Sequence, residues 1–348
     1  MSLPVRAPSD LLHHGFDTLI DVRSPSEFAE DRVPGAVNLP ALSDTERARV
    51  GTIYVQEDPF LARKIGAALV ARNAAAHLEG PLADMGGGWR PLVYCWRGGQ
   101  RSGSIATILS QVGWRAETVE GGYQSWRRAV VEALYRQAWP GRVVLLDGNT
   151  GTAKTDILSR LARRGVQVLD LEGLAAHRGS VFGAVSRPQP SQKAFETAIV
   201  EATDALDPAR PLLVEAESSK IGERLIPPAL WKAMRGAPRI VVEAPVEARS
   251  AYLVRAYADV ASDQDTLLTT IGNLRRLCGA EVVVRWEGLA QEGQHGTLAR
   301  ELMERHYDPR YAKSRGEIDV AATVWSDSLD DASLDRLAGE VERALQQL

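Results

Sequence analysis

The segment Pro91-Leu92-Val93-Tyr94-Cys95-Trp96-Arg97-Gly98-Gly99-Gln100-Arg101-Ser102 joins an apolar run to a glycine- and arginine-rich turn. The run predicts a buried strand, the glycines a tight loop, and Ser102 the N-cap of a helix. Backbone N–H groups gathered by such a loop, two arginines and the positive end of a helix all favour an anion. A thiol in that field is expected to ionise readily. It would attack a chalcogen or phosphorus centre while Arg97, Gly98, Gly99 and Arg101 hold the attached anion.

A second segment, Gly148-Asn149-Thr150-Gly151-Thr152-Ala153-Lys154-Thr155, follows the apolar run Val143–Leu146 and opens a helical stretch. This is the setting of a phosphate loop, with Gly148 and Gly151 letting backbone N–H groups face phosphate oxygens. Lys154 reaches the terminal oxygens and Thr155 is placed to ligate Mg²⁺. Ala153 stands where such loops have glycine. Its methyl either crowds the turn or is harmless in a helical conformation. A carboxylate partner is expected at the end of a neighbouring strand, where Glu215 and Glu217 alternate onto one side.

These residues need strands that end beside one another. Short apolar runs alternate with longer helix-like stretches throughout, so the fold class is α/β. Strands are expected at Thr18–Val22, Pro91–Tyr94, around Glu117–Glu120, and at Val143–Leu146, Val166–Leu169, Pro211–Glu215 and Arg239–Glu243. Trp139-Pro140-Gly141 stops the helix predicted over Tyr123–Gln137. A domain boundary is placed there, giving domains 1–138 and 139–348. Beyond Val246 the pattern turns mostly helical, ending in an amphipathic helix with Leu329, Leu334, Leu337, Val341 and Leu345 on one face.

Length and composition agree with two domains. The 348 residues, 45% hydrophobic and 25% charged, exclude extensive disorder. Two cysteines, Cys95 and Cys278, exclude a disulfide scaffold and a cysteine-rich metal site. No apolar run has the length of a signal peptide or membrane span, so a reducing cytoplasm and no membrane partner are expected. The net charge of −4 gives no global sign of a nucleic-acid partner. However, residues 317–348 hold eight acids against two arginines, so the preceding chain is slightly basic.

Two further segments flank the first predicted strand: Asp21-Val22-Arg23-Ser24-Pro25-Ser26-Glu27-Phe28 and Val33-Pro34-Gly35-Ala36-Val37-Asn38-Leu39-Pro40. With the Cys95 loop and Val119-Glu120-Gly121-Gly122-Tyr123-Gln124-Ser125-Trp126, they resemble a rhodanese domain. Five residues separate Cys95 from Arg101, one more than the common rhodanese loop. The same Cys-x5-Arg-Ser spacing occurs in cysteine-dependent phosphatases and arsenate reductases, whose loops fit a tetrahedral oxyanion. Selenophosphate is both a chalcogen donor and such an anion.

Four later segments narrow the resemblance. They are Asp170–Gly183 with His177-Arg178-Gly179-Ser180, Gln189–Glu196, Glu215–Gly222, and His306-Tyr307-Asp308-Pro309-Arg310-Tyr311. In this order the chain resembles the bacterial tRNA 2-selenouridine synthase family, apart from Ala153 and from Ala216, where the family tends to have aspartate. The resemblance implies a rhodanese-like domain followed by a P-loop NTPase-like parallel-sheet domain with a mostly helical C-terminal part. It implies a transferase acting on the wobble 2-thiouridine of tRNAs for Lys, Glu and Gln. The sulfur is first geranylated by geranyl diphosphate, then replaced by selenium from selenophosphate.

The resemblance further implies that Cys95 carries selenium as a Cys–SeH intermediate, with Arg97 and Arg101 on the donor's phosphate. Gly148, Gly151, Lys154 and Thr155 would hold the pyrophosphate of geranyl diphosphate, with Mg²⁺ at Thr155 and Glu215 or Glu217. A phosphate loop more often binds ATP or GTP, so a nucleotide is the competing ligand. His177, Arg178 and Ser180 line this site, contact tRNA, or organise their own loop. No tightly bound cofactor is implied. The anticodon loop of tRNA and a supply of selenophosphate are the expected partners. Arg127, Arg128, Arg136 and Arg142, and the helix-borne Arg160, Arg163 and Arg164, are candidates for phosphate contact. Two other functions are compatible with the motifs: a phosphatase or arsenate-reductase-like enzyme fused to a nucleotide-binding domain, and a non-catalytic sulfur-carrier module.

Overall fold

The structure, a computed structural model, describes residues 2–315 and 319–348. The chain forms two compact units: Met1–Ala138 with Pro190–Ala205, and Trp139–Gln189 with Leu206–Leu348. The expected division at 138/139 takes no account of residues 190–205, which return to the first unit.

In the first unit, β1 (Ser2–Leu3), β2 (Thr18–Asp21), β3 (Val37–Asn38), β4 (Pro91–Tyr94) and β5 (Glu117–Val119) form a parallel sheet ordered β1-β5-β4-β2-β3. Leu19, Ile20, Leu92 and Val93 are fully buried, as central parallel strands require, because helices cover both faces. β2 and β4 run in register from Thr18↔Pro91 to Asp21↔Tyr94. Their carboxyl ends therefore lie side by side, where ligands bind on open α/β sheets. The predicted helix over Tyr123–Gln137 is an α-helix, Gly122–Val131, that loosens into a π-helical turn at Glu132–Arg136. Against it packs helix Gln192–Asp204: Trp126 Nε1 donates to Thr197 Oγ1 at 3.4 Å, and Tyr135 Oη donates to Glu196 at 2.6 Å.

In the second unit, β6 (Val143–Asp147), β7 (Val168–Leu169), β8 (Leu212–Glu215), β11 (Arg239–Glu243) and β12 (Val320–Trp325) form a parallel sheet ordered β12-β11-β6-β8-β7. A short hairpin, β9 (Lys220–Ile221) and β10 (Arg224–Leu225), stands apart. All five residues of the central β6 are buried. Helices follow from Val246 to Tyr307 around a separate core that includes Leu267, Ile271, Trp286, Leu298 and Leu302. β12 interrupts the helical C-terminal part. As an edge strand with only Val324 buried, it has too little apolar pattern to be read from sequence.

The terminal helix Asp331–Gln346 packs Leu334, Leu337, Val341 and Leu345 into one core with Ile157, Leu158 and Leu161 of helix Lys154–Arg163. Its acids answer that helix's arginines. Arg160 binds Asp331 and Asp335, and Arg164 lies 3.6 Å from Glu342. The acidic segment thus neutralises part of the basic helix inside the same unit. Among the described residues no helix is long and apolar enough to cross a membrane.

Candidate active site

Cys95 follows β4 directly and is 3% exposed. Burial pushes its thiol up, but hydrogen bonds outweigh that and hold it below the ordinary thiol value. They come from the Ser102 hydroxyl and from the N–H groups of Ser102, Arg97 and Gly99. Ser102 Oγ lies 3.2 Å from Cys95 Sγ. The helix runs Gln100–Val112 with Gly99 as N-cap, so Ser102 sits inside the first turn as a donor to the Cys95 sulfur, not as the cap. The arginines contribute differently from the expectation. Arg101 Nη1 donates to Glu27 Oε2 at 3.0 Å, whereas Arg97 is exposed and joins no ion pair among the described residues. Arg97 is therefore the cation free to meet an incoming anion.

The loop's shape depends on a close approach to the turn after β5. Tyr123 N donates to Cys95 O at 2.9 Å and Gln124 N to Trp96 O at 3.0 Å. Gly98 and Gly122 both have φ near +60°, and a Cβ on Gly122 would meet Cys95 O at 2.3 Å. Only glycine serves at this crossing.

The phosphate loop joins β6 to helix Lys154–Arg163. Lys154 Nζ donates to Gly148 O at 3.0 Å and lies 5.8 Å from the centre of the Tyr311 ring. Ala153 is neither crowded nor right-handed helical; it takes the left-handed conformation, φ 61° and ψ 31°. That costs about 1 kcal/mol for a residue with a Cβ. Its methyl joins the core with Ile157 and Leu158, recovering about 0.8 kcal/mol. The loop keeps the turn that a glycine would make.

Thr155 Oγ1 donates to Glu172 Oε2 at 3.1 Å. Glu172, not Glu215, is thus the carboxylate beside the threonine. Glu215 is 1% exposed; its Oε1 accepts from Glu172 N at 2.7 Å, and among the described residues no partner reaches its Oε2. Burial raises its carboxyl well above the usual range, and the hydrogen bond it accepts positions Glu172. β8 ends at Glu215, so strand alternation does not carry on to Glu217, which alone of the two lines the cavity over the loop. That cavity, roughly 1290 Å³, is also lined by Lys154, Glu172, His177, Arg178 and Ser180.

Glu172 and Glu217 hydrogen-bond to each other beside Lys154. Burial first, then the charge of Glu172, pushes Glu217 up to about 8 from an ordinary 4.5. Between those values the folded state holds a proton that the unfolded state has lost. Stability therefore falls as pH rises through that window. Glu217→Gln is expected to match the parent's melting temperature at pH 5 and to exceed it by about 3 °C or more at pH 8.5. Calorimetry at the two pH values checks this, and an equal difference at both would remove the shared proton.

The His177–Gly183 turn is pinned by Arg178 N donating to Gly183 O at 2.8 Å. Arg178 clasps Asp259 with both terminal nitrogens and stacks over Tyr257 at 4.8 Å, and burial lowers the basicity of His177. Sequence reasoning missed Arg249, which is 6% exposed. It grips Asp308 of the Tyr307-Asp308-Pro309 segment through both terminal nitrogens and donates to Thr150 O at 3.1 Å. Asp308 therefore acts on the phosphate loop through Arg249. Most of the arginines considered for tRNA are engaged: Arg127 with Glu196, Arg128 with Ser125, Arg136 with Glu132, Arg142 with Leu348 O, and Arg160 and Arg164 with the terminal helix.

A buried, hydrogen-bonded thiol at a strand end and a lysine-bearing phosphate loop define the class: a rhodanese-like domain followed by a P-loop domain. Residues 8–129 match the rhodanese-like domain, and residues 141–273 match the tRNA 2-selenouridine synthase AAA domain. A tRNA 2-selenouridine synthase of Hahella chejuensis is 34% identical over 330 residues, 84% of each chain. Another, from Marinobacter nauticus, is 33% identical over 345 residues, 86% of this chain and 90% of the relative. The chain belongs to the tRNA 2-selenouridine synthase family.

Proposed function

We propose that this protein is an enzyme of tRNA modification that converts the wobble 2-thiouridine of tRNAs for Lys, Glu and Gln to 2-selenouridine. The observation that carries the reading is the pairing, in one chain, of an activated Cys95 with a phosphate loop whose cavity is lined by Lys154, Glu172 and Glu217.

In the first reaction the thiocarbonyl sulfur attacks C1 of geranyl diphosphate. A C–S bond forms, the C–O bond to diphosphate breaks, and the base loses its N3 proton. Gly148, Gly151 and Lys154 bind the departing diphosphate, which leaves as an intact anion. Mg²⁺ would be held by Thr155, Glu172 and Glu217: these are hard oxygen donors, and their crowded carboxyls favour a cation. When bound, it would supply charge neutralisation to the diphosphate.

In the second reaction selenium adds to C2 and geranyl thiol departs. Alkylation makes this feasible because a thiol leaves where a thiocarbonyl sulfur cannot. Cys95 delivers the selenium, with Arg97 and the loop N–H groups holding the phosphate of selenophosphate and Arg101 fixing the loop through Glu27. Attack at selenium gives Cys95–S–SeH with phosphorus leaving as phosphite, and a thiol must then cut the S–Se bond. Attack at phosphorus instead frees hydroselenide, which itself adds to C2, and leaves phosphate on the Cys95 sulfur; water then breaks the S–P bond, releasing phosphate and restoring the thiol with no reductant. Phosphorus NMR of the product distinguishes the two routes. The decisive assay supplies 2-thiouridine tRNA, geranyl diphosphate and selenophosphate, and identifies nucleosides by mass spectrometry. Folded protein that yields neither S-geranyl nor seleno product overturns the proposal.

A further inference from the structure

Helices Asp44–Gln56 and Pro59–Glu79 form a hairpin in the first unit. Asn73 Nδ2 donates to Glu46 Oε2 at 2.9 Å, so the second helix runs back along the first. The hairpin is rooted at the thiol loop: Glu27, which holds Arg101, also pairs with Arg47 at 3.1 Å. At the helical rise, the 13 residues of the first helix reach about 20 Å from that root. Arg47, Gly51, Tyr54 and Val55 follow one another along one face of it. At the tip, large apolar side chains stand in solvent, Tyr54 52% and Phe60 71% exposed, beside Val55 and Leu61. Apolar exposure gathered at one turn marks an interaction site.

Charge selects the partner. Residues 59–78 hold three cations, Arg63, Lys64 and Arg72, and no acid, in a chain of net charge −4. The hairpin's acids sit at the helix ends: Asp44 and Glu46 at the start, Glu57 and Asp58 in the turn, Glu79 at the close. Arg49, Arg63 and Lys64 are exposed and join no ion pair among the described residues. By contrast, Arg127, Arg136 and Arg160 are engaged. An apolar protein partner would bury these cations without counter-ions, and a second copy would set them against their own kind. RNA answers both features, because bases freed from a loop stack on exposed aromatic rings while phosphates pair with cations. We infer that the tip of this hairpin receives the anticodon arm of the tRNA whose wobble base is delivered to Cys95. The inference rests on the selenation reading and adds to it the surface that holds the RNA.

The test titrates the full-length protein with a 2-thiouridine anticodon stem-loop over a series of salt concentrations. Phe60→Ala should weaken binding by about five- to a hundredfold, the usual cost of one lost base stack, whereas Phe60→Tyr should keep the parent's affinity. Arg63→Gln combined with Lys64→Gln should reduce the slope of log affinity against log salt by about 1.4 to 1.8. In selenation of geranylated tRNA, Phe60→Ala and the double variant should raise KM and leave kcat near the parent's, since neither change touches the reacting atoms. Melting temperatures should match the parent's, because the altered side chains project into solvent. Variants that bind and respond to salt as the parent does, with a parent that selenates tRNA, overturn the RNA surface and leave the reaction standing. A parent that sediments as a dimer and is made monomeric by Phe60→Ala also overturns it, assigning the tip to a second copy. A parent that binds no stem-loop and selenates no tRNA removes the underlying reading as well.

Discussion

Cys95→Ser is expected to turn the enzyme into a geranyltransferase. With 2-thiouridine tRNA and both co-substrates, selenouridine should fall to background and S-geranyl-2-thiouridine should accumulate. The substitution is nearly isosteric, and Ser102 and the loop N–H groups can still hydrogen-bond the oxygen, so the loop has no reason to rearrange. What disappears is the soft, ionisable nucleophile. A serine hydroxyl has no comparable thiolate population, and the chain's other cysteine, Cys278, has its thiol raised by burial. Nucleoside mass spectrometry reads both steps in one sample. Equal loss of geranylation and selenation would contradict the division of labour between the two sites.

Lys154→Ala should produce the opposite phenotype. Burial lowers the basicity of the Lys154 ammonium, but the surrounding charges of Tyr311, Glu217, Glu172 and Asp147 more than restore it, so it stays charged. Removing it takes away the main positive charge facing the leaving diphosphate and leaves Glu172 and Glu217 without their counter-ion. Loss of one preorganised electrostatic donor costs about 10²- to 10³-fold in rate, and geranyl transfer should fall by at least that factor. Selenation of tRNA supplied already geranylated should proceed at the parent's rate. An undiminished geranyl-transfer rate would remove the phosphate loop from the reaction.

The strands that carry the chemistry were legible because parallel strands buried on both faces are written as unbroken apolar runs. Val143–Leu146 and Pro91–Tyr94 are such runs, each followed by glycines. Cys95 and Lys154 could be found because their neighbours are local in sequence. Glu172 and Arg249 could not. Glu172 meets Thr155 across 17 residues, and Arg249 reaches Thr150 across 99. Only the folded sheet brings them together. The placing of Glu215 and Glu217 on one side misled for Glu215 alone, because alternation holds only while the chain stays extended, and β8 stops at Glu215. The conformation of Ala153 was equally hidden: its methyl is accepted because the core beneath has room for it.

The detour of residues 190–205 shapes how the protein is made. Helix Gln192–Asp204 supplies Thr197 to Trp126, Glu196 to Arg127 and Tyr135, and Asp204 to His13, while Lys193 reaches Glu30. The N-terminal domain therefore lacks a wall until about residue 205 has been synthesised. By then β6, the phosphate loop and helix Lys154–Arg163 have already left the ribosome. The thiol domain cannot mature first and wait for its neighbour. Its last piece arrives in the middle of the second domain's sequence, so the two must be completed in an interleaved order. A gene fragment stopped at codon 138 would encode the cysteine loop without the helix that closes the domain carrying it.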